Sequence, residues 1–516
     1  MDTLHLLGIG LQHIFTLEDF SMLLLGLVIG MAVSVMPGLG LVMGIVLALP
    51  FTYRMAIEPS IILLTAIYVS GTYAGCFTAI LYRIPGEPMD VPLLWDGYRM
   101  TQNGQPAKAL GWALVAALIG GLVSSAVMVG LAVPFSKAAL TFGPPEYFAI
   151  VFFGLTTIAA LAGDSLINAF ISLFLGLLIA TIGVDATYST SRFTFGSPIL
   201  MNGVPYVIIL VGMYGLGEIL TRFGRGLHIT ERPSAESTIV ASFPSLREMW
   251  AIRTTFLRSS ILGTLLGIVP GAGATITSFI SYGIEKQYGK HKERLGTGLP
   301  EGIVAPQIGS TASVAGHMIP LLTLGIPGSG ATAVILGAFL LHGVQPGPLM
   351  FTTLRSKIMV YTILASLFIG VIGMCVLGYY WIKVVVKVLT IPQGVLSAIV
   401  VTLCIIGAYA NTNSMSDVWI IVIFGILGYL FEKFKFPIAP MVLGAILGPL
   451  AETSFIQTMI STNNDWTVFF RHWVSGTLII LAIVALIYAL VRNAWGKRAE
   501  VGIDPVSSIS GAGGQA

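Results

Sequence analysis

Long apolar stretches separated by short polar connections follow one another along nearly the whole chain. About 20 consecutive apolar residues in a helix cross the hydrocarbon core of a bilayer, which is about 30 Å thick. The pattern therefore predicts an all-α polytopic membrane protein with about 11–12 spanning segments. The uninterrupted candidates lie near residues 59–82, 109–134, 146–162, 165–183, 200–221, 301–325, 357–380, 392–410, 415–431, 437–449 and 472–492.

Two further apolar segments, one in each half of the chain, are interrupted by the same motif. Residues 30–40 and 263–273 each hold a glycine seven positions before a proline, and that proline begins Pro-Gly-x-Gly. Proline lacks a backbone N–H and glycine adopts unusual φ values, so a helix opens there. Inside a bilayer such open backbone survives only where protein buries it or where it lines a polar cavity. Matching breaks in two halves are typical of secondary transporters with an internal repeat.

The repeated pattern extends beyond this first motif. Ile-Pro-Gly occurs at 84–86 and again at 326–328, and Gly-Gln-Pro at 104–106 is echoed by Gly-Val-Gln-Pro at 343–346. Backbone N–H groups at the start of a half-helix attract anions, and nearby hydroxyl groups bind carboxylates or cations. Hydroxyl groups in membrane helices also bond to their own helix, so a structural role stays open for each. The candidate substrate and ion site comprises Pro37, Gly38, Leu39, Gly40, Pro85, Gly86, Pro270, Gly271, Gly273, Ala274, Thr275, Ser310, Thr311, Pro327, Gly328, Ser329 and Gly330.

The distribution of basic residues predicts how the two breaks are oriented. The second break has basic clusters on both sides, within 222–258 and 286–294, whereas the first follows the acidic residues Glu18 and Asp19. Because basic residues stay on the cytoplasmic side, the second break is predicted to be a hairpin from the cytoplasm and the first a hairpin from outside. Two kinked spanning helices remain the alternative. The predicted organisation is an N-terminal segment 1–19, a first repeat 20–221, a basic cytoplasmic linker 222–258, an inverted second repeat with a final helix 259–498, and a disordered tail 499–516 with a cytoplasmic C-terminus.

Composition excludes a globular cytosolic protein. Of 516 residues, 55% are hydrophobic and 9% are charged, whereas an average soluble domain has about 25% charged residues. A net charge of +3 gives no indication of a nucleic-acid partner. The three cysteines lie in apolar stretches without metal-like spacing, so no cofactor is expected. The chain has no Gly-x-x-x-x-Gly-Lys-[Ser/Thr] phosphate loop, so direct ATP hydrolysis is not expected.

Ionisable residues near the apolar segments allow more than one interpretation. Glu87 and Asp90 follow the first Ile-Pro-Gly and are interpreted as solvated loop residues or as site residues. Asp164 is either a helix N-cap or a functional carboxylate, since buried ionisable groups in membranes are functional by default. His317 is either structural or a proton carrier.

A series of motifs extends in order over roughly residues 20–455 and carries a family resemblance. They lie at 36–40, 79–87, 96–98, 183–185, 192–196, 269–274, 281–286, 300–306, 324–329 and 342–348. On these motifs the chain resembles the large membrane subunit of the tripartite tricarboxylate transporters, the TctA family. The resemblance implies a multi-pass carrier for carboxylates in the bacterial inner membrane, driven by a gradient of a coupling cation, Na⁺ or H⁺. It also implies a small membrane subunit of the TctB type and a periplasmic substrate-binding protein of the TctC type. Residues 89–93 and 307–311 depart from the family pattern, so citrate is not inferred as the substrate.

The expected function is import of small organic anions, di- or tricarboxylates, by an ion-gradient-driven secondary transporter subunit. The alternative is an intramembrane enzyme, such as a protease or a lipid transferase, which needs a nucleophile close to a histidine. Ser310 and His317 are the nearest candidates, but no nucleophile motif surrounds them. A transporter rather than an enzyme is therefore expected, with no catalytic residues.

Overall fold

The fold is almost entirely helical in a computed structural model that describes residues 3–36, 39–161, 165–185, 189–225, 241–389 and 393–500. Pro37 and Gly38 of the first break, Asp164, residues 226–240 of the predicted linker and nearly all of the predicted tail lie outside the described residues. Within the described part, two short strands, β1 (Gly183–Val184) and β2 (Ser191–Arg192), pair in antiparallel fashion. The predicted domain boundaries stay predictions.

The first half contains eleven helices among its described residues. They are α1 (Thr3–Ile14), α2 (Leu17–Val35), α3 (Leu41–Thr52), α4 (Ile57–Ala74), α5 (Cys76–Tyr82), α6 (Leu93–Gln102), α7 (Pro106–Ala139), α8 (Pro144–Leu161), α9 (Leu166–Ala180), α10 (Tyr206–Leu210) and α11 (Gly217–Arg225). Short 3-10 turns cover Pro88–Asp90 and Pro198–Asn202, and a π-helical turn, Val211–Leu216, joins α10 to α11.

The second half contains eleven more among its described residues. They are α12 (Leu246–Ala251), α13 (Arg253–Ile268), α14 (Gly273–Tyr288), α15 (Glu301–Leu324), α16 (Gly330–Leu341), α17 (Leu354–Leu389), α18 (Gln393–Thr412), α19 (Met415–Lys433), α20 (Ile438–Ser461), α21 (Val468–Arg471) and α22 (Trp473–Glu500). Short 3-10 turns cover Lys292–Arg294 and Pro348–Phe351.

Six helical segments of the described chain are long and apolar enough to cross a membrane. They are Leu17–Val35, Ile57–Tyr82, Pro106–Ala139, Leu354–Trp381, Met415–Lys433 and Ile438–Ser461. Shorter apolar helices cover Leu41–Thr52, Leu166–Ala180, Tyr206–Thr221, Gly330–Leu341, Ser397–Tyr409 and Trp473–Ile487. These helices confirm the predicted all-α polytopic membrane protein. The predicted segment at 301–325 forms α15, a 24-residue helix that is almost completely buried.

The second break reverses the chain, so α13 and α14 form an antiparallel hairpin. Thr255 at the start of α13 donates a hydrogen bond of 3.1 Å to Glu285 at the end of α14, and Arg258 forms an ion pair with the same carboxylate. In one continuous helix, thirty residues would separate these groups by about 45 Å. The reversal uses positive φ at Gly271 (+86°) and Gly273 (+58°), which glycine adopts without steric cost. This geometry favours the predicted hairpin over a kinked spanning helix.

The first break makes the same reversal between α2 and α3. Gly44 of α3 lies against Val33 of α2, on the opposite side of the break. Gly40, just before α3, has φ of +69°. Both arms also pack on α4, as both arms of the second hairpin pack on α15. The two breaks therefore form equivalent three-helix units, one in each half.

The equivalent long helices of the two units run in opposite directions. The Tyr68 hydroxyl of α4 hydrogen bonds to Nδ1 of His317 on α15 at 2.7 Å. Further along α4, the carbonyl of Thr72 accepts a hydrogen bond of 3.3 Å from the side chain of Gln307, which lies earlier in α15. Increasing residue number on one helix thus corresponds to decreasing number on the other. This antiparallel arrangement confirms the predicted inverted repeats.

Each half also contributes a helix to the bundle of the other half. Gly176 of α9 packs against Met441 of α20, and Gly428 of α19 packs against Met213 beside α10 and α11. A side chain at either glycine would overlap the partner's backbone, so these crossings require small residues. Because each half packs a helix against helices of the other half, the two repeats form one interlocked body around the two hairpins.

Candidate transport site

The tip of the first hairpin is held by the residue that follows the first Ile-Pro-Gly. The backbone N–H of Leu41, in the first turn of α3, donates a hydrogen bond to the carboxylate of Glu87. Gly86 packs tightly between Ser34 at the end of α2 and Gly75, the residue between α4 and α5. The two predicted motifs of the first half are therefore in direct contact.

The tip of the second hairpin makes the corresponding contact. The N–H of Gly271 donates a 3.0 Å hydrogen bond to the carbonyl of Gly328 in the second Ile-Pro-Gly. Gly328 packs against His317, which stands eight residues before Gly325, just as Gly75 stands eight before Arg83. Gly325 and Arg83 both adopt the left-handed conformation that ends their helices. The two halves thus build equivalent loops from different residues.

Contacts between the halves bring all the described breaks into one region. The Ser278 hydroxyl of α14 donates a 2.7 Å hydrogen bond to the carbonyl of Met89, after the first Ile-Pro-Gly. In return, Gly330 after the second Ile-Pro-Gly faces Val42 of α3. We call residues 39–42, 84–90, 269–278 and 326–332 the junction. It contains every described member of the predicted site except Ser310 and Thr311.

Two carboxylates in the junction are buried, so the interpretation of Glu87 and Asp90 as solvated loop residues is wrong. Glu87 is 9% exposed and Asp90 is 1% exposed. Asp90 accepts a 2.8 Å hydrogen bond from the N–H of Glu87. Among the described residues, neither carboxylate forms an ion pair with Lys, Arg or His. The packing of Gly86 on Gly75 draws this loop into the interior, which local sequence does not reveal.

The second half places hydroxyl groups where the first half has these carboxylates. Ser329 and Thr332 follow Gly328 at the spacing at which Glu87 and Asp90 follow Gly86. The Thr332 hydroxyl accepts a 2.8 Å hydrogen bond from the N–H of Ser329, as Asp90 does from Glu87. The first turn of α14, unlike that of α3, has no side-chain cap. A Cβ at Gly273 would have no neighbour within 4 Å, so open space adjoins this turn.

A polar chain connects the junction to both long helices. The Tyr68 hydroxyl lies 2.7 Å from His317 Nδ1 and 3.1 Å from Ser329 Oγ. His317 is fully buried, and its Nε2 has no hydrogen-bond partner among the described residues. His317 therefore lies beside the junction rather than in an apolar core, and both of its predicted roles stay open.

Ser310 and Thr311 lie on α15, away from the hairpin tip. Their hydroxyl groups donate hydrogen bonds of 2.9 and 2.8 Å to the carbonyl of Gln307. The neighbouring Gly309 packs against Thr277, which lies about 7 Å along α14 from the tip. These two hydroxyl groups make the helix-bonding contacts that were the structural alternative. Ser310 makes no hydrogen bond to His317 in the described chain.

Asp96 of α6 connects the two halves, and sequence reasoning missed this role. Its fully buried carboxylate accepts 2.9 Å hydrogen bonds from the N–H groups of Gly296, Gly298 and Leu299. It also accepts a 3.1 Å hydrogen bond from the hydroxyl of Tyr282 on α14. The partners lie about two hundred positions away in the chain, so only the acid in an Asp-Gly-Tyr motif signals the site.

Replacing Asp96→Ala is expected to lower the free energy of unfolding by roughly 2–4 kcal/mol, because several buried donors lose their acceptor. Tyr282→Phe, which removes a single bond to the same carboxylate, should cost roughly 1 kcal/mol. Thermal unfolding of the purified protein in detergent measures both. Equal melting temperatures for wild type and Asp96→Ala would contradict the role of this carboxylate.

Comparisons with known proteins agree with this architecture. The profile of the tripartite tricarboxylate transporter TctA family matches residues 20–443. A relative from Agrobacterium vitis, an uncharacterized 52.8 kDa protein in the TAR-I ttuC' 3' region, is 34% identical over 504 residues, covering 98% of this chain and 99% of the relative. A second, an uncharacterized protein in the TAR-II ttuC' 3' region of Agrobacterium vitis, is 38% identical over 242 residues, covering 47% of this chain and 99% of the relative. No solved structure matches the chain significantly. With a profile match over most of its length, the chain belongs to the TctA family of tripartite tricarboxylate transporters.

Proposed function

We propose that this chain is the large membrane subunit of a carrier that imports small organic anions, di- or tricarboxylates, driven by a Na⁺ or H⁺ gradient. A periplasmic binding protein of the TctC type delivers the anion, and a small membrane subunit of the TctB type completes the complex in the bacterial inner membrane. The family supports a transporter component of a tripartite system. The substrate class, the coupling cation and the delivery step are the proposal.

The observation that carries this proposal is the difference between the two hairpin tips. In the first half, the carboxylate of Glu87 occupies the first turn of α3 through the N–H of Leu41. In the second half, Ser329 stands at the equivalent place, and the first turn of α14 is uncapped and open. Helix N-termini favour anions. A substrate carboxylate at Ala274 and Thr275 would make the contact that Glu87 makes in the other half.

The energy source follows from the charge of the substrate. Each negative charge that moves into a negative interior is opposed by about 2.3 kcal/mol per 100 mV. Cations that enter with the anion must offset this cost. Glu87 and Asp90 are buried carboxylates without a basic partner among the described residues, so they supply oxygen ligands or proton acceptors for coupling cations. Open backbone carbonyls of the junction, with Thr275, add further oxygen ligands.

Uptake by reconstituted vesicles tests the function. The complete complex, with both partners present, should accumulate radiolabelled di- or tricarboxylate only while a Na⁺ or H⁺ gradient is imposed. Each gradient is collapsed separately to identify the coupling cation. Uptake that survives the loss of both gradients, or that requires ATP inside the vesicle, would overturn the proposal. Omitting either partner should abolish accumulation.

The orientation is tested by cysteine labelling in a variant without the three native cysteines. Arg247→Cys and Lys290→Cys lie beyond the two ends of the second hairpin, and both positions are exposed. We expect an impermeant maleimide to label both from the cytoplasmic side, because the hairpin returns to the face where it began. Thr141→Cys should react from the periplasmic side. Labelling of Arg247→Cys and Lys290→Cys from opposite faces would contradict the orientation.

A further inference from the structure

A cavity of about 530 Å³ lies between α6 of the first half and α14 of the second hairpin. Its volume falls in the range of about 300–1,000 Å³ that is typical of small-molecule sites. The lining residues that matter here are Arg83, Trp95, Tyr98, Arg99, Tyr282 and Lys286. We call this space the basic cavity.

The basic cavity has three cationic side chains and no acidic side chain in its lining. Arg83, Arg99 and Lys286 form no ion pair within the described chain. The Arg83 guanidinium lies 5.9 Å from the centre of the Tyr98 ring, and Arg99 donates a 3.2 Å hydrogen bond to Gln102. These contacts leave three positive charges without a counter-ion around one space.

Two nearby basic residues outside the cavity have acidic partners. Arg258 pairs with Glu285, and Lys108 pairs with Glu248. The hydrogen bond from Lys108 lowers the pKa of Glu248 to about 2, so this pair is ionised at neutral pH. Arg83, Arg99 and Lys286 differ from these two paired residues because they line one common space that has no acidic side chain in its lining.

The back wall of the basic cavity is a fixed structure. Tyr282 donates to Asp96, and the N–H of Gly296 donates to the same carboxylate. The Trp95 ring lies 4.6 Å from the Tyr282 ring and 5.9 Å from the Phe279 ring, measured between centroids. Asp96 lies behind these donors, outside the lining of the cavity, and forms no ion pair with the three cations in the described chain. A ligand therefore meets a preformed apolar wall beside three charges.

The same helix connects the basic cavity to the junction. The open first turn of α14 begins at Gly273, and Tyr282 and Lys286 follow on the same helix. At 1.5 Å per residue they lie about 13–20 Å away along the helix axis. Arg83 immediately precedes the first Ile-Pro-Gly, so a second element also connects the two spaces.

We propose that the basic cavity binds the transported di- or tricarboxylate after it leaves the junction, and that internal anion bound there slows further import. The proposal rests on the proposed function and its orientation, which place these basic residues in the cytoplasm. Three cations on three elements match a ligand with two or more carboxylates, and the rings cover its short carbon chain. A monocarboxylate engages only part of this set.

Binding is measured by calorimetry on the purified full chain in nanodiscs of phosphatidylcholine, with succinate, malate and citrate as probes and acetate as the monocarboxylate reference. The double variant Arg99→Gln/Lys286→Gln is expected to weaken binding of the tightest probe at least tenfold. Lys292→Gln, an exposed basic residue outside the cavity, is the matched control and should bind like wild type. Affinity should fall with added salt, because exposed charges are screened.

Two results would overturn the proposal. One is equal affinity of wild type and the double variant for every probe. The other is binding of acetate as tight as that of the probes. A parallel series with phosphatidylglycerol in the nanodiscs examines lipid as the occupant. If no probe binds in phosphatidylcholine nanodiscs, and wild type retains more phosphatidylglycerol on purification than the double variant does, the cavity belongs to a lipid headgroup instead.

A transport measurement separates this proposal from the proposed function. Vesicles of wild-type complex, oriented with the cytoplasmic side inward, should show slower initial uptake when preloaded with unlabelled anion. The double variant should lose this inhibition and keep gradient-driven uptake from empty vesicles. If preloading inhibits the wild type and the double variant equally, the proposed role of the basic cavity is refuted and the proposed function is not. If the wild-type complex shows no uptake at all, the proposed function itself is refuted.

Discussion

Gly86→Ala is expected to reduce gradient-driven uptake at least about 100-fold, a loss equivalent to about 2.7 kcal/mol. A Cβ at this position would lie 2.5 Å from the Cα of Gly75 and closer still to the carbonyl of Ser34. Both obstacles are backbone, so the loop must move away from the long helix, at a cost of typically 1–3 kcal/mol. Glu87 then no longer reaches the tip of the first hairpin. Uptake per unit of inserted protein, quantified in membranes, measures the effect.

Gly130→Ala on α7 is the matched control, because its Cβ would have no neighbour within 4 Å. Uptake should equal that of wild type. Gly273→Ala tests backbone strain without a steric clash. A Cβ at this position would have no neighbour within 4 Å, but the φ of +58° costs a residue other than glycine roughly 1–2 kcal/mol. We expect an intermediate loss for this variant. Normal transport by Gly86→Ala at normal expression would show that the first Ile-Pro-Gly is only a bend in the chain.

The hairpins were predictable because the chemistry that breaks a helix is local. Pro-Gly-x-Gly removes a donor and introduces positive φ wherever it occurs, and the structure uses positive φ at Gly40 and Gly271. The side of the membrane from which each hairpin enters stays a prediction from the flanking charges. The π-helical turn at Val211–Leu216 was not predictable, since neither a proline nor a charged residue marks it. Tertiary packing against α19 accompanies that turn.

The candidate site was predicted less completely than the fold. Glycine and proline positions identified the junction, but the burial of Glu87 depends on the packing of the preceding Gly86 against Ser34 and Gly75, which is a tertiary contact. An acid after Pro-Gly has the same local pattern as a surface turn. The signal was nevertheless present, because aligning the two Ile-Pro-Gly motifs places Glu87 opposite Ser329. That asymmetry between otherwise equivalent halves distinguishes a tip that holds its own carboxylate from a tip that is open.

The positions of the hydroxyl groups were the hardest to predict, because serine and threonine side chains find equivalent partners within their own helix. Ser310 and Thr311 bond to Gln307, whereas Ser329 caps α16 and contacts Tyr68. The hydroxyl side chains by themselves do not separate the two outcomes. What separates them is the preceding break: Ser329 follows Pro327-Gly328 directly, and its N–H and hydroxyl are therefore free of a preceding helical turn.

Glu87→Gln is expected to abolish gradient-driven accumulation while preserving the fold. The amide oxygen of glutamine still accepts a hydrogen bond from the N–H of Leu41, so the tip of the first hairpin stays bound to this residue. The negative charge beside Asp90 is lost, and with it the binding site that we propose for a coupling cation. Accumulation should fall at least about 100-fold, or about 2.7 kcal/mol. Exchange of internal for external carboxylate should continue, because exchange moves no net cation.

The comparison of three variants distinguishes coupling from simple anchoring. Glu87→Ala removes both the charge and the acceptor for Leu41, so it should lose exchange as well as accumulation, with a lower melting temperature. Glu293→Gln, an exposed acid outside the junction, should behave as wild type in both assays. Accumulation by Glu87→Gln at the wild-type rate would mean that this carboxylate only anchors the hairpin, because charge would then be irrelevant. Loss of both activities in Glu87→Gln with a normal melting temperature would instead place Glu87 in substrate movement itself, since exchange requires that movement without net flow of the driving ion.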